Sequence, residues 1–199
     1  MICLLVSVSC LSQGKAKKQK ELNDSIATAQ LTELKNGALL VRLRSYQKQL
    51  KVFEKRGDSV GLRNEKRKIR LKHLEIVNAF KVEYSFSKVY FFKSHNSSKV
   101  KAGELKNVVL NDSLEPVDFS SSNYYIADPY RIEFAKMNSS QNGISLMDKK
   151  LKQLDKPFPY YVRKRDGVFF LRRDMFQMVT VLQKNLDWYA KKYRVKTAQ

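Results

Sequence analysis

Ala38-Leu-Leu-Val-Arg-Leu-Arg44 is a nearly uninterrupted apolar run in this chain of 199 residues. Such a run predicts a strand buried on both faces, as in a sheet that contains parallel strands. The segment that follows, Tyr46 to Tyr84, has a helical pattern broken once, at Lys55-Arg-Gly-Asp-Ser59, which predicts a long helical hairpin. Val89-Tyr-Phe-Phe92 predicts a second strand. Strand, helix and strand in this order form the crossover that joins parallel strands.

Further elements are predicted on both sides of this unit. The segment Lys18 to Leu34 has apolar residues at helical spacing and precedes Asn36-Gly37, a common helix stop. The middle of the chain, Ser94 to Asn142, is rich in Asn, Asp and Ser, which predicts loops with short strands between them. The short strand candidates are Val108–Leu110, Tyr124–Ile126 and Ile144–Met147.

The C-terminal part predicts a hairpin and then a long helix. Two apolar runs, Tyr160–Val162 and Val168–Leu171, flank Arg165-Asp-Gly167, and Asp-Gly between apolar runs is typical of a β-hairpin turn. Asp174 is placed to cap the final helix. The apolar stripe of that helix comprises Met175, Val179, Leu182, Leu186, Tyr189 and Tyr193, with Met178 at its edge.

We therefore predict an α/β fold with a mixed sheet, helices packed on it, a helical hairpin after the first strand and a long C-terminal helix. The order of elements at the two ends of the chain resembles the thioredoxin fold. The resemblance concerns layout only: no Cys-x-x-Cys follows Arg44, so it implies no redox chemistry. A different three-layer α/β sandwich accounts for the same pattern. Residues 15–199 are predicted to form a single domain.

Both cysteines, Cys3 and Cys10, lie in the apolar run Met1–Leu11. This run suits the core of a secretory signal and is too short to span a bilayer, which takes roughly 20 residues. Ser12-Gln-Gly14 offers small residues for cleavage, so residues 1–14 are predicted to be a signal peptide, with no transmembrane helix in the mature chain. The alternatives are a lipoprotein anchored through Cys10 and a buried N-terminus of a cytosolic protein. Cleavage would leave no cysteine, which excludes disulfides, thiol nucleophiles and thiolate metal sites.

Several segments resemble uncharacterised exported proteins of Bacteroidota bacteria. They are Gly37–Arg44, Lys88–Phe92, Val109–Glu115 and Lys156–Arg163. The resemblance implies a protein of the periplasm or cell surface and carries no known activity with it. It also implies O-glycosylation at Asp-Ser-aliphatic triplets, for which Ser59 and Ser113, in predicted turns, are better candidates than Ser25 in a predicted helix.

The composition is strongly basic, with 39 Lys and Arg against 19 Asp and Glu and a formal net charge of +20. Such an excess attracts polyanions and anionic membrane surfaces. For an exported protein these are acidic glycans, lipid phosphates and released DNA, whereas cytosolic nucleic acid is out of reach. If the N-terminal run is not a signal, a cytosolic nucleic-acid-binding protein is an alternative.

One flank of the second hairpin helix concentrates basic side chains. The predicted polyanion-binding residues are Arg63, Lys66, Arg67 and Arg70. Guanidinium groups in such a row can contact phosphate or sulfate, although a solvated helix face has the same composition. On the back of the final helix, Val181 and Trp188 lie beside lysines. We expect the N-terminal helix to cover this apolar pair, with a membrane interface or a partner protein as the alternative.

Residues with catalytic chemistry are sparse, and we predict no catalytic residue, metal site or cofactor. His73 lies on the apolar stripe of its helix, which indicates a packed and hydrogen-bonded histidine, whereas His95 lies in a polar loop and is expected to be exposed. Arg56-Gly57-Asp58 matches an adhesion tripeptide but is expected to serve the hairpin turn. Asp128 and Glu133 leave an envelope enzyme with Asp or Glu chemistry as the alternative to a non-catalytic exported binding or accessory protein.

Overall fold

The computed structural model describes residues 6–134, 138–158, 160–167 and 169–195, with side chains from Lys18 onward. Residues 1–5 of the predicted signal peptide and the side chains of its remainder therefore lie outside the described part. The helices are α1 (Val6–Asn36), α2 (Gln47–Lys55), α3 (Ser59–Glu83), α4 (Ser97–Ala102) and α5 (Met175–Lys192). The strands are β1 (Ala38–Leu43), β2 (Lys88–Lys93), β3 (Tyr124–Asp128), β4 (Ile132–Phe134), β5 (Ser139–Gln141), β6 (Gly143–Met147) and β7 (Tyr161–Arg163).

Five of these strands form one mixed sheet in the order β2-β1-β3-β6-β7. Strand β1 pairs in parallel with β2 and with β3, whereas β6 pairs antiparallel with β3 and with β7. Strands β4 and β5 form a separate two-stranded ribbon. The predicted α/β class with a mixed sheet is thus confirmed, as are the crossover between parallel strands and the long C-terminal helix.

Both faces of β1, an interior strand of the sheet, are buried, because its side chains alternate between two apolar clusters. Leu39, Val41 and Leu43 pack in the larger cluster, which α1, α3 and α5 cover with residues such as Phe80 and Leu182. On the other face, the residues that pack around the sheet are Ala38, Leu40, Phe92, Val100, Val108, Val109, Tyr124 and Ile126. The prediction of a strand buried on both faces, made from this apolar run, is therefore confirmed.

Tight local contacts fix the ends of two helices. A side chain at Gly37, directly after α1, would collide with the carbonyl oxygens of Asn123 and Glu33, so glycine is required where the chain enters β1. The turn between α2 and α3 holds Gly57 at a φ of 67°, and the Asp58 carboxylate accepts the Gly61 N–H at 2.7 Å as the cap of α3. The Arg56-Gly57-Asp58 tripeptide is thus a helix-hairpin turn, as expected.

The predicted C-terminal hairpin is wrong. Strand β7 forms, but Phe169–Leu171 is a short 3₁₀ helix and not its partner strand. The chain leaves the sheet because Arg165 adopts a left-handed φ of 61° and the Asp166 carboxylate accepts the Asn142 side-chain N–H at 2.8 Å. This backbone conformation and this side-chain hydrogen bond occur where a hairpin would have its ladder of backbone hydrogen bonds.

Two smaller expectations also need correction. Of the strand candidate Val108–Leu110, Leu110 alone forms bridges, to Phe91 of the edge strand β2 and to Pro116, because the chain is still in a turn at Val108. On α5, Val181 packs at the margin of the core, but Trp188 is 58% exposed. Helix α1 does contact α5, through Tyr193 and Asp24 at 3.0 Å, yet it does not cover the tryptophan.

Candidate anion-binding site

A cleft lies at the carboxyl ends of the parallel strands β1 and β3, where α5 begins. It consists of two hollows of about 550 Å³ and 650 Å³ that share Arg44, Tyr130 and Asn142. Arg44 follows β1, and Tyr130 follows β3. Parallel strands bring their carboxyl ends to one edge of a sheet, and ligands of open α/β sheets bind outside that edge.

Basic side chains dominate the lining of the cleft in the part of the chain that the structure describes. The seven basic side chains are Arg44, Lys72, Arg131, Lys164, Arg165, Arg172 and Arg173. The three acidic ones are Glu75, Asp166 and Asp174. Asp174 is engaged in capping α5, and Asp166 is paired within the wall of the cleft. The lining therefore has a net positive charge, to which the amino end of α5 adds its partial positive charge.

Arg44 is held at the centre of the cleft through its own backbone. Its N–H donates to the hydroxyl of Tyr130 at 3.1 Å, and its carbonyl oxygen lies 2.9 Å from Nε2 of His73. Its guanidinium stacks 4.4 Å from the centre of the Tyr130 ring while the side chain stays exposed. Stacking of this kind restrains a guanidinium and leaves its N–H groups available to a ligand.

His73 positions Arg44 and does not reach the cleft surface. Its partner is a carbonyl oxygen, which can only accept, so Nε2 must carry a proton. Burial lowers the pKa of His73, an effect that nearby Lys93 reinforces and that the hydrogen bond to Arg44 opposes. The imidazole is thus neutral at neutral pH, and the sequence prediction of a packed, hydrogen-bonded histidine is confirmed.

An ion pair beneath the cleft orders the turn after β3. The Asp128 carboxylate lies 3.0 Å from Arg42, on the neighbouring strand β1, and its other oxygen accepts the Tyr130 N–H at 3.0 Å. Only 7% of the Asp128 side chain is exposed. Burial raises the pKa of Asp128, whereas Arg42 and the Tyr130 N–H oppose that rise. Asp128 therefore supports Tyr130 from below and does not line the cleft.

Residues 164–167, together with Arg172 and Arg173, form one wall of the cleft. Asp166 lies 3.5 Å from Lys164 and 3.4 Å from Arg172, and its hydrogen bond from Asn142 is the main reason that its pKa is lowered. Arg173 donates from its backbone N–H to the carbonyl of Lys164 at 2.8 Å, which closes the loop. Partial burial lowers the pKa of the Arg173 guanidinium, and the neighbouring charge of Arg165 adds to that effect.

The residues predicted from the sequence to bind polyanions lie elsewhere. Arg63, Lys66, Arg67 and Arg70 are exposed on α3 and are not among the residues that line the cleft. Lys72, further along the same helix, does line it. The cleft was missed because it is assembled from the ends of many elements, and no local motif unites them. One signal was available: basic residues cluster at the end of β1 and before α5.

The remaining described residues with catalytic or metal-binding side chains do not form a second site. His95 is exposed, as expected. Glu133 is also exposed and lies 3.7 Å from Arg131, whereas Asp128 is buried against Arg42, so the two acids have different partners. Within the described ranges, no group of three or more His, Cys, Asp or Glu side chains could hold a metal ion.

Comparisons with known proteins add no relative: no family model, curated protein or solved structure matches the chain. The resemblances to exported Bacteroidota proteins and to the thioredoxin fold therefore stay predictions. Among the helices that the structure describes, none is both long enough and apolar enough to cross a membrane.

Proposed function

We propose that this chain is a non-catalytic binding protein of the cell envelope that holds an anionic ligand in the cleft around Arg44. The ligand class is one with sulfate, phosphate or carboxylate groups, such as an acidic glycan. The basic lining supports this choice, because guanidinium groups match the geometry of these oxyanions and are always charged. The apolar N-terminal run supports the envelope location.

The position of Arg44 carries the proposal. The Arg44 backbone is bonded on both sides: its N–H donates to the Tyr130 hydroxyl, and its carbonyl oxygen accepts from Nε2 of His73. Its guanidinium is restrained over an aromatic ring. A charge restrained before binding loses less conformational entropy when a ligand arrives, which favours affinity.

An enzyme with Asp or Glu chemistry is less well supported. That reaction class calls for paired carboxyl groups facing a substrate, with pKa values pushed apart by their surroundings. Asp128 has the raised pKa but is buried under the turn and paired with Arg42. Asp166, which does line the cleft, has a lowered pKa and is tied to Asn142. Neither carboxyl group is placed to donate a proton to a bound substrate or to accept one from it.

A pair of matched variants tests where an anion binds. Arg44→Gln and Arg67→Gln remove the same charge from exposed side chains, one in the cleft and one on the flank of α3. The probe is a fluorescent sulfated oligosaccharide, with inorganic phosphate as competitor, and the readout is the dissociation constant. We expect Arg44→Gln to weaken binding about tenfold, since a charge-assisted hydrogen bond contributes roughly 1.5–3 kcal/mol.

Arg67→Gln should weaken binding of the same probe less than about threefold, through the loss of long-range attraction alone. The reverse ranking would place the site on the helix flank that the sequence predicted. Equal small effects in both variants would mean that the net charge, and not the cleft, attracts the probe. Either of these results would refute a site at Arg44.

A further inference from the structure

The loop from Lys164 to Arg173 presents an apolar tip to solvent. Phe170 is 84% exposed and Leu171 is 44% exposed, although both lie on a loop whose ends are joined by a backbone hydrogen bond of 2.8 Å. Asn142 anchors the base of the loop through Asp166. The tip is therefore an apolar surface that the fold holds outward and does not bury.

Basic residues flank this tip in the sequence. Arg165 and Arg172 are exposed, and Arg172 keeps 55% of its side chain accessible even though it lies near Asp166. Phe176, in the first turn of α5, adds a third partly exposed apolar side chain close by in the sequence. Isolated exposed apolar residues are common on proteins and need no explanation. Exposed aromatic and aliphatic side chains with arginines beside them in the sequence are the composition of a membrane-interface anchor.

We propose that this loop docks on the surface of an anionic phospholipid bilayer, with Phe170 and Leu171 entering the interface and Arg165 and Arg172 contacting lipid phosphates. Charge complementarity carries the choice of occupant: each basic residue near such a surface contributes about 1 kcal/mol, which is about fivefold in partitioning. A nucleic acid would need the cations alone and would leave the apolar tip in water. The inference goes beyond the cleft ligand, because its apolar contacts come from Phe170 and Leu171, which do not line the cleft, whereas Arg165 and Arg172 belong to both surfaces.

The test uses the full chain and vesicles of two compositions, phosphatidylcholine alone and phosphatidylcholine mixed with phosphatidylglycerol. Sedimentation with the vesicles gives the partition coefficient. We expect binding to the anionic vesicles to exceed binding to the neutral ones about 25-fold, the combined effect of two arginines at about fivefold each. Phe170→Ala should lower partitioning into anionic vesicles about tenfold, since it removes a large apolar side chain from the interface.

Trp188→Ala is the matched control. Trp188 is also an exposed aromatic beside a cation, Lys192, at 5.3 Å, but it lies in the last turns of α5, about 20 Å along the helix from Met175. Its removal should change partitioning less than about twofold. Phe170→Ala should bind the sulfated oligosaccharide as the native chain does, which shows that the variant is folded and separates this inference from the proposed function.

A fluorescence measurement gives an independent readout. In the double variant Phe170→Trp, Trp188→Phe, the single tryptophan sits at the tip of the loop, and its emission should shift to the blue with anionic vesicles. Three results would overturn the inference: no blue shift, unchanged partitioning of Phe170→Ala, or equal losses in Phe170→Ala and Trp188→Ala. Equal binding to neutral and anionic vesicles would overturn the role of the arginines.

Discussion

Arg44 shows how contacts that are distant in sequence position a single residue. Tyr130 and His73 come from different elements, yet they meet the N–H and the carbonyl of the same residue. Its guanidinium also stacks on the Tyr130 ring, which restrains a side chain that would otherwise sample many rotamers.

The pH dependence of stability should report the burial of His73. Its pKa is lowered below 6.5 in the folded chain, so the unfolded chain binds more protons as the pH falls through that region. The stability that the neutral imidazole contributes is therefore complete above pH 6.5 and is lost at lower pH. In His73→Gln, which keeps a donor for the Arg44 carbonyl, the free energy of unfolding should fall less between about pH 7.5 and about pH 5.5.

Denaturant unfolding of both proteins at each pH provides the measurement. The difference between native and variant free energies should change with pH in the stated direction, because titrating carboxylates common to both chains cancel in that difference. A difference that is constant across this range would mean that His73 has the same pKa in the folded and unfolded chains.

At the scale of elements, α5 connects the core with the cleft. Its buried face, which includes Val179, Leu182 and Leu186, packs against the sheet, while its first turn lines the cleft. Asp174 caps the helix reciprocally with Gln177: the Asp174 carboxylate accepts the Gln177 N–H at 2.8 Å, and the Asp174 N–H donates to the Gln177 side chain. This capping box fixes the residue at which the helix begins.

Loss of the cap should destabilise the whole domain. Asp174→Ala removes the acceptor, and we expect the free energy of unfolding to fall by about 1 kcal/mol. Asp174→Asn keeps an acceptor at the same place and should cost no more than about half of that. Thermal or denaturant unfolding of the two variants beside the native chain measures the contrast. If both variants lost the same stability, the charge of Asp174 and not its capping geometry would be responsible.

Elements with strong local signals could be predicted from the sequence, and those fixed by tertiary side-chain contacts could not. β1, the turn at Gly57 and the cap at Asp174 each follow from local chemistry. The Asp-Gly turn was misassigned because Asp166 is held by Asn142, more than twenty residues earlier in the chain, instead of by a facing strand. The cleft could not be predicted for the same reason. No local motif marks Arg44 or Tyr130, and only the pairing of β1 with β3 brings them together.

At the scale of the whole molecule, the excess of positive charge and the position of the cleft have different effects on anion binding. A net charge of +20 raises the encounter rate with any polyanion, but it does not select where the anion binds. The stretch from Arg42 to Glu75 alone contains twelve basic and four acidic residues. Of those twelve, only Arg44 and Lys72 line the cleft. Salt separates the two contributions, because every cation that contacts the anion releases counterions when it binds.

Binding of the sulfated oligosaccharide should therefore weaken steeply with salt. For about four contacts, counterion release of the kind measured on nucleic acids predicts a loss of roughly 100-fold between 50 mM and 200 mM salt. Arg44→Gln should reduce the slope of log affinity against log salt by about one contact, whereas Arg67→Gln should leave the slope nearly unchanged. Unfolding cannot produce this loss, because added salt screens the self-repulsion of a chain with this charge and so favours the folded state. An affinity that did not change with salt would exclude both the cleft and the helix flank as anion sites, since each depends on cations exposed to water.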